Sequence, residues 1–401
     1  MGNRAGEPRS REGRIDAGAA SVKRGPSKSK KKGAFVGLPV CAVLLAGGRG
    51  TRFWPRSRTR TPKQLLNIAG KETMLRETLG RLAPVVPLKN MWAVTNVEQA
   101  AAVRREMKTV PASHILAEPV GRNTAAAIGL AAIHLQRTHG DALMMVLPSD
   151  GYVANDKAYC AVLRGALDLA KVPGQLVVVG VPPSRAETGY GYIERGAALQ
   201  QAAGPDAYEV RRFTEKPAAD VAREHVASGN YFWNAGIFVW RVSTFLDNLR
   251  QFLPKTHEAL LELGKTIGTK RHASALRRVY PKLESISVDY AIMEPATHPG
   301  SGCKVFVIPA EVGWSDIGSW AAVHELHAGG AGANVSAGQS FTIEAEGNYF
   351  WSPKKFVAAI GVKDMVLVET DDAILLCSRE RSQDVGKIVK WLEEQKKSHL
   401  L

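Results

Sequence analysis

The chain has 401 residues, 45% of them hydrophobic, enough for a large core with a smaller second unit and with no apolar run long enough for a membrane span. Its four cysteines, Cys41, Cys160, Cys303 and Cys377, are far apart and form no Cys/His cluster, which excludes a disulfide framework or structural zinc site and fits a reducing cytoplasm. The net charge of +15 is uneven: residues 1–35 hold ten Lys/Arg against three acidic residues, a local +7 that leaves +8 for all the rest, so nucleic acid is not the expected partner.

Residues 1–36 are Gly-, Ser- and Ala-rich with almost no large apolar side chains. Such a segment buries too little surface to offset its ordering entropy, and a disordered basic tail is expected. It has no apolar signal-peptide core, and position 6 is Gly where an acylation motif needs Ser or Thr.

Strand and helix patterns then alternate. Val40–Leu45 reads as a buried strand, residues 73–82 as a helix, 91–95 as a strand, 97–108 as a helix and 114–117 as a short strand. An Ala-rich helix follows over 124–137, with Asn123 and Thr124 as candidate caps, then a strand at 143–147, a helix at 157–171 and a strand at 176–181. Continuous apolar strands between amphipathic helices imply a mostly parallel sheet covered on both faces, with ligands outside the carboxyl ends of the strands. Strand signals dominate at 191–195, 208–213 and 231–240, and helical patterns resume over 243–283. A Gly-rich linker begins at Gly329, followed by short β stretches at 340–345, 356–362, 365–369 and 373–377 and a helix at 385–395. The expected division is a tail at 1–36, an α/β domain at 37–328 and a small β-rich domain at 329–401.

The most informative segment is Ala46-Gly47-Gly48-Arg49-Gly50-Thr51-Arg52, directly after the first strand, with Pro62-Lys63-Gln64 ten residues on. A strand feeding a glycine loop lets backbone N–H groups close around a polyphosphate, and Arg52 and Lys63 add positive charge there. It is no P-loop, since Gly50 is followed by Thr51-Arg52, and no dinucleotide fingerprint, since the last glycine of GxGxxG is missing.

Gly47 through Pro55 with Pro62-Lys63-Gln64 resembles the signature of the sugar-nucleotide pyrophosphorylases, and more narrowly the bacterial guanylyltransferases that act on mannose 1-phosphate. The likeness continues through Glu118-Pro119-Val120-Gly121-Arg122-Asn123-Thr124, Leu147-Pro148-Ser149-Asp150, Glu187 to Ile193, Phe213 to Pro217, Trp233-Asn234-Ala235-Gly236, Ser287-Val288-Asp289-Tyr290 and Gly313 to Trp320. These motifs keep the family's order over roughly residues 40–395.

The resemblance implies an α/β fold: a Rossmann-like nucleotidyltransferase domain with a mostly parallel mixed sheet, plus a small left-handed β-helix suited to docking or homodimer contact. It also implies transfer of GMP from GTP to mannose 1-phosphate, with Mg²⁺ as cofactor. By it Arg52 and Lys63 clamp the triphosphate. Gly47, Gly48, Gly50, Thr51, Gln64, Glu118, Gly121, Asn123 and Thr124 line the nucleotide. Tyr190, Gly191, Glu215, Lys216 and Asn234 take the sugar phosphate, and Asp150 and Asp316 hold the metal. Glu118 has two readings, a carboxylate accepting from guanine N1–H and N2–H₂ or a helix-entry carboxylate. Trp233, Trp240, Trp314 and Trp320 read as core. Gly151 stands where the family usually has His, which leaves the metal ligand but removes a side chain that could orient it. The chain stops at Leu401, which leaves no room for the isomerase domain of longer relatives, and no isomerase activity is expected. Two other readings stay open: the same chemistry on another sugar 1-phosphate or nucleotide, and a non-catalytic sensor of GDP-mannose.

Overall fold

Alternating apolar residues in the first strand divide the protein into two layers. The structure, a computed structural model, describes residues 37–199, 205–330 and 332–401; the basic tail lies outside them. In β1 (Val40–Leu45), Cys41 and Val43 pack into one core with the helix Asn123–His139 and Trp240. Ala42 and Leu44 point the other way, into a second core with the helices Met74–Leu82 and Asp156–Ala170. The period of two in a strand with both faces covered produces this division.

The central sheet adds β2 (Met91–Asn96), β3 (Ile115–Glu118), β4 (Leu143–Pro148), β5 (Gln175–Val181), β6 (Tyr192–Leu199), β7 (Ala207–Thr214), β8 (Tyr231–Arg241) and β9 (Lys304–Pro309), in the order β3-β2-β1-β4-β8-β5-β9-β7-β6. Only β7 and β8 run against the rest. Register places the site. Leu45 lies beside both Val94 and Pro148, and Asn96 beside Glu118, so the carboxyl ends of β3, β2, β1 and β4 form one rim. The glycine loop leaves β1 on that rim, and Asp150 follows β4 two residues later. Because β8 is antiparallel, its first residues return to the same rim, where Trp233 pairs with Tyr192 and Asn234 with Gly180.

The C-terminal strands β10 (Val335–Ala337), β11 (Ser340–Ile343), β12 (Tyr349–Trp351), β13 (Val357–Ile360), β14 (Met365–Glu369) and β15 (Ile374–Ser378) stack as β-helix-like coils. β10, β12 and β14 are parallel on one face, β11 and β13 on another, and antiparallel β15 ends the stack. This unit does not stand apart from the rest. Tyr349, Val366, Val368, Leu375 and Val385 share a third core with Phe53, Trp54, Ile317 and Trp320, so residues 38–401 cluster as one body. The region after the glycine loop is therefore roofed by the C-terminal segment. Elements absent from the sequence reading include β9, β10, β12 and the helices Ala219–Ser228 and Trp320–His327.

Candidate active site

Gly50 sits at φ 60°, and a Cβ there would lie 2.6 Å from Lys63 Cβ and 2.8 Å from Lys63 N. Only glycine fits, and the close approach locks the loop onto the Lys63 turn. Lys63 is 6% exposed. Its Nζ donates to Asp150 Oδ2 at 2.9 Å, to the Asp150 carbonyl at 3.0 Å and to the Asp316 carbonyl. One ammonium thus gathers residues from the first strand's loop, the end of β4 and the Trp314-Ser315-Asp316 turn. Tyr190 Oη donates to Asp316 Oδ1 at 2.6 Å. Burial, with the Asp316 charge second, pushes the Tyr190 hydroxyl pKa well up, which keeps it protonated as a donor. Arg52 opens onto the same space: Gly50, Arg52, Lys63, Asp150, Asp316 and Gly318 line a cavity of about 290 Å³.

A second cavity of about 240 Å³ adjoins it, lined by Asp150, Gly151, Tyr190, Gly191, Glu215, Asn234, Asp289, Trp314 and Asp316 among others. Here a Cβ on Gly191 would come within 2.5 Å of Glu215 Oε2, and that oxygen is buried with no hydrogen-bond partner among the described residues. Lys216 Nζ donates to Glu215 Oε1 at 2.6 Å, and Asn234 Nδ2 donates to Asp289 Oδ1 at 2.8 Å. Burial, aided by the Asp289 charge, raises the Glu215 pKa. Burial works to lower Lys216, but the Glu215 bond and charge and the Asp289 charge outweigh it and leave the ammonium raised. Lys216 has φ 47°, and Ile317, next to Asp316, has φ 41°. Positive φ at a lysine and at a β-branched residue is strained, and the strain flanks both cavities.

Other expected residues fall differently. Gln64 is 2% exposed and its amide donates to the Ala46 and Gly48 carbonyls, so it braces the glycine loop from beneath. Gly47, Gly48 and Thr51 lie along that loop and the turn after it, and Gly121 precedes the long helix. The helix begins at Asn123 itself, with Arg122 as the preceding cap residue and no side-chain cap bond, which corrects the expected capping. Asn123 adopts φ 59° and accepts from the Thr124 N–H. Thr124 Oγ1 instead accepts from the Val288 N–H and ties the helix to the Asp289 segment. Trp233, Trp240 and Trp320 are core, but Trp314 is only half-buried. It borders the second cavity, its ring edge-on to Tyr190 at 5.7 Å between centroids.

Residues 41–331 match the nucleotidyl transferase family, and residues 338–392 match the MannoseP isomerase/GMP-like beta-helix domain. A mannose-1-phosphate guanylyltransferase of Klebsiella pneumoniae is 38% identical over 359 residues, 89% of this chain and 74% of that protein. Mannose-1-phosphate guanylyltransferase 2 of Escherichia coli O157:H7 is 34% identical over 371 residues, 90% and 75% of the two chains. This chain belongs to the nucleotidyl transferase family, among the mannose-1-phosphate guanylyltransferases. A solved structure from Thermus thermophilus, described as a mannose-1-phosphate geranyltransferase, agrees in fold, with a TM-score of 0.78 and 33% identity over 89% of this chain and all of that one. The chain is thus a nucleotidyltransferase enzyme. No helix among the described residues is long and apolar enough to cross a membrane.

Glu118 ends β3 beneath the glycine loop, where a Cβ on Gly47 would lie 3.3 Å from its Oε2. Tyr280 Oη donates to its Oε1 at 2.5 Å. Burial pushes the Glu118 pKa up to about 7, against the opposing bonds from Tyr280 and the Arg122 backbone. A carboxyl whose folded pKa exceeds its unfolded value stabilises the fold below the unfolded pKa and loses that contribution as pH rises through about 7. Glu118→Gln, neutral at every pH, should therefore melt a few degrees above wild type at pH 8 and equal it near pH 4. Parallel melting curves across that range would show instead that the carboxyl titrates as it does in the unfolded chain. Tyr280 and Asp289 were not singled out from sequence; the only signal was the Ser287-Val288-Asp289-Tyr290 motif for the second.

Proposed function

We propose that this enzyme transfers GMP from GTP to mannose 1-phosphate, releasing pyrophosphate, with the two cavities as its two substrate sites. The carrying observation is the convergence of Lys63, Asp150 and Asp316 where the glycine loop meets the sugar-side cavity. In this reading an oxygen of the sugar phosphate attacks the α-phosphorus in line. The new P–O bond forms as the bond to the β-phosphate oxygen breaks, and pyrophosphate carries away the electron pair. No protein nucleophile is needed, so the work of the chain is to position two anions and neutralise them.

Arg52 and Lys63 hold the triphosphate and the charge growing on the leaving pyrophosphate. Lys216 holds the sugar phosphate, and the unpartnered Glu215 oxygen accepts from a sugar hydroxyl, with Tyr190, Gly191 and Asn234 around it. Gly47, Gly48, Gly50 and Thr51 present loop backbone to the phosphates. Gln64 supports them from behind, and Gly121, Asn123 and Thr124 form the entry to the nucleotide's other end. Glu118, in ionised form, accepts from guanine. Asp150 Oδ1 and Asp316 Oδ2 have no hydrogen-bond partner among the described residues. Two carboxylates with one open oxygen each, completed by phosphate oxygens, suit Mg²⁺. When bound there, that ion would withdraw charge from the phosphates.

Pyrophosphate release should be measured with Mg²⁺ across a panel of nucleoside triphosphates and sugar 1-phosphates. GTP with mannose 1-phosphate is expected to be the best pair. A clear preference for another sugar or base moves the specificity, and no turnover with any pair favours the sensor reading.

We propose also that the chain forms a homodimer through the C-terminal coils. Phe341, Ile343, Phe356 and Ile360 lie on or beside the β11–β13 face and are all exposed, with Ile374 and Leu376 exposed on β15. So many exposed large apolar side chains on one small unit are unusual on a monomer. Phe341→Glu with Ile360→Glu should shift the mass in light scattering from dimer to monomer; a monomeric wild type refutes the pairing.

A further inference from the structure

The turn before the last helix reaches back to the phosphate end of the site. Residues Arg379–Asp384 form a tight turn between β15 and the helix Val385–Glu394. On it, Gln383 Oε1 accepts from Arg52 Nη1 at 2.7 Å, across 331 residues of chain. Both side chains border a cleft of about 860 Å³ between the α/β sheet and the C-terminal coils, together with Tyr190, Lys216 and Asp316.

The position of Gln383 is fixed from both sides. Ser382, 1% exposed, accepts from the Ala321 N–H through its hydroxyl, and Val385 is buried in the third core. Asp384 receives Arg381 and Lys387, which stiffens the turn. The helix that follows lies on the glycine loop: Arg49 pairs with Glu393, and a Cβ on Gly386 would sit 3.6 Å from Thr51 Oγ1 and 4.0 Å from Arg52 Cγ. The C-terminal segment therefore holds the Arg52 side chain along its stem and at its tip.

Arg52 needs such a hold. Its side chain is exposed, and an arginine carries large rotamer freedom. A competing partner, Asp316, is close by: a Cβ on Gly318 would lie 3.4 Å from Arg52 Nη1 and 2.8 Å from Asp316 Oδ2. A guanidinium that turned onto that oxygen would remove both a phosphate-binding cation and an open carboxylate oxygen.

We propose that Gln383 is a positioning residue for Arg52: it holds the guanidinium at the mouth of the phosphate cavity and off Asp316. An amide suits this task. It accepts one hydrogen bond without a charge, so it orients the guanidinium yet cannot outcompete a triphosphate for it. A glutamate at the same place would be a competitor. The inference rests on the reading of Arg52 as a phosphate clamp and extends it to a residue outside the α/β portion of the chain.

The test uses full-length wild type, Gln383→Ala, Gln383→Glu, Arg52→Ala and the Arg52→Ala/Gln383→Ala double variant. Pyrophosphate release from GTP and mannose 1-phosphate is followed beside thermal midpoints. Gln383→Ala should lose about five- to tenfold in kcat, the scale of one ordinary hydrogen bond. KM for mannose 1-phosphate and the thermal midpoint should hold. Gln383→Glu should raise KM for GTP, and added salt should relieve part of that rise. In the Arg52→Ala background, removing Gln383 should change nothing further. Wild-type kinetics in Gln383→Ala, a loss that tracks a lower midpoint, or a loss that persists without Arg52 overturns the inference alone. A wild-type protein that releases no pyrophosphate from this pair overturns the functional reading as well.

Discussion

Asp316→Asn is expected to lower kcat by about a thousandfold, with the thermal midpoint close to that of wild type. The substitution keeps the size of the side chain and leaves an oxygen to accept from Tyr190, whose hydroxyl donates at 2.6 Å. It removes one negative charge beside the open oxygen that would face a divalent ion. Asp316 is only half-buried, so the fold does not depend on that charge. If turnover instead stays within tenfold of wild type, the Asp316 carboxylate has no part in the chemistry. The same variant separates an enzyme from a sensor, because a protein that only binds GDP-mannose has no turnover to lose.

Lys63→Met should cost about a hundred- to a thousandfold in kcat, on the scale of losing one preorganised donor at the reacting phosphates. Here stability falls too. Lys63 is buried and its ammonium is the contact shared by Asp150 and Asp316, so methionine leaves a carboxylate facing the Asp316 carbonyl with no cation between them. Breaking a buried ion pair by removing one partner costs about 3–5 kcal/mol; Asp150 is partly exposed, so the lower end or less applies. Excess Mg²⁺ distinguishes the two roles. The ion should restore much of the melting temperature by neutralising Asp150, yet leave kcat low because the leaving pyrophosphate still lacks its cation. Recovery of full turnover along with the melting temperature would assign Lys63 a purely structural place.

The parts of this site that are local in the chain were readable from sequence. A buried strand, a glycine loop and Lys63 follow within about twenty residues, and Asp150 closes the next strand of the rim. The preference of parallel sheets for ligands at their carboxyl ends then put them together. The direction of β7 and β8 was not readable in the same way. Tyr231–Arg241 is as continuously apolar as a parallel strand, since a strand buried on both faces carries no mark of its orientation.

Pairs that depend on tertiary placement were hidden for the same reason. Tyr280 meets Glu118 across 162 residues, Asp289 meets Asn234 across 55 and Gln383 meets Arg52 across 331. Nothing in their flanking residues states the partner. Gln64 sits inside the motif yet points beneath the loop, a distinction set by which side of the Lys63 turn packs on Gln99 and Ala46. Asn123 looked like a cap because its side chain favours caps, but its amide oxygen takes the N–H of Thr124, one residue on, rather than one two or three residues into the helix.

The most direct test of the account is a crystal structure of the enzyme with GDP-mannose and Mn²⁺, read from the anomalous signal of the ion. The account predicts one peak shared by the carboxylates of Asp150 and Asp316, with the guanosine by Glu118 and the mannose beside Glu215 and Asn234. An ion bound away from that pair, or a sugar lodged on the Glu118 side, would contradict it.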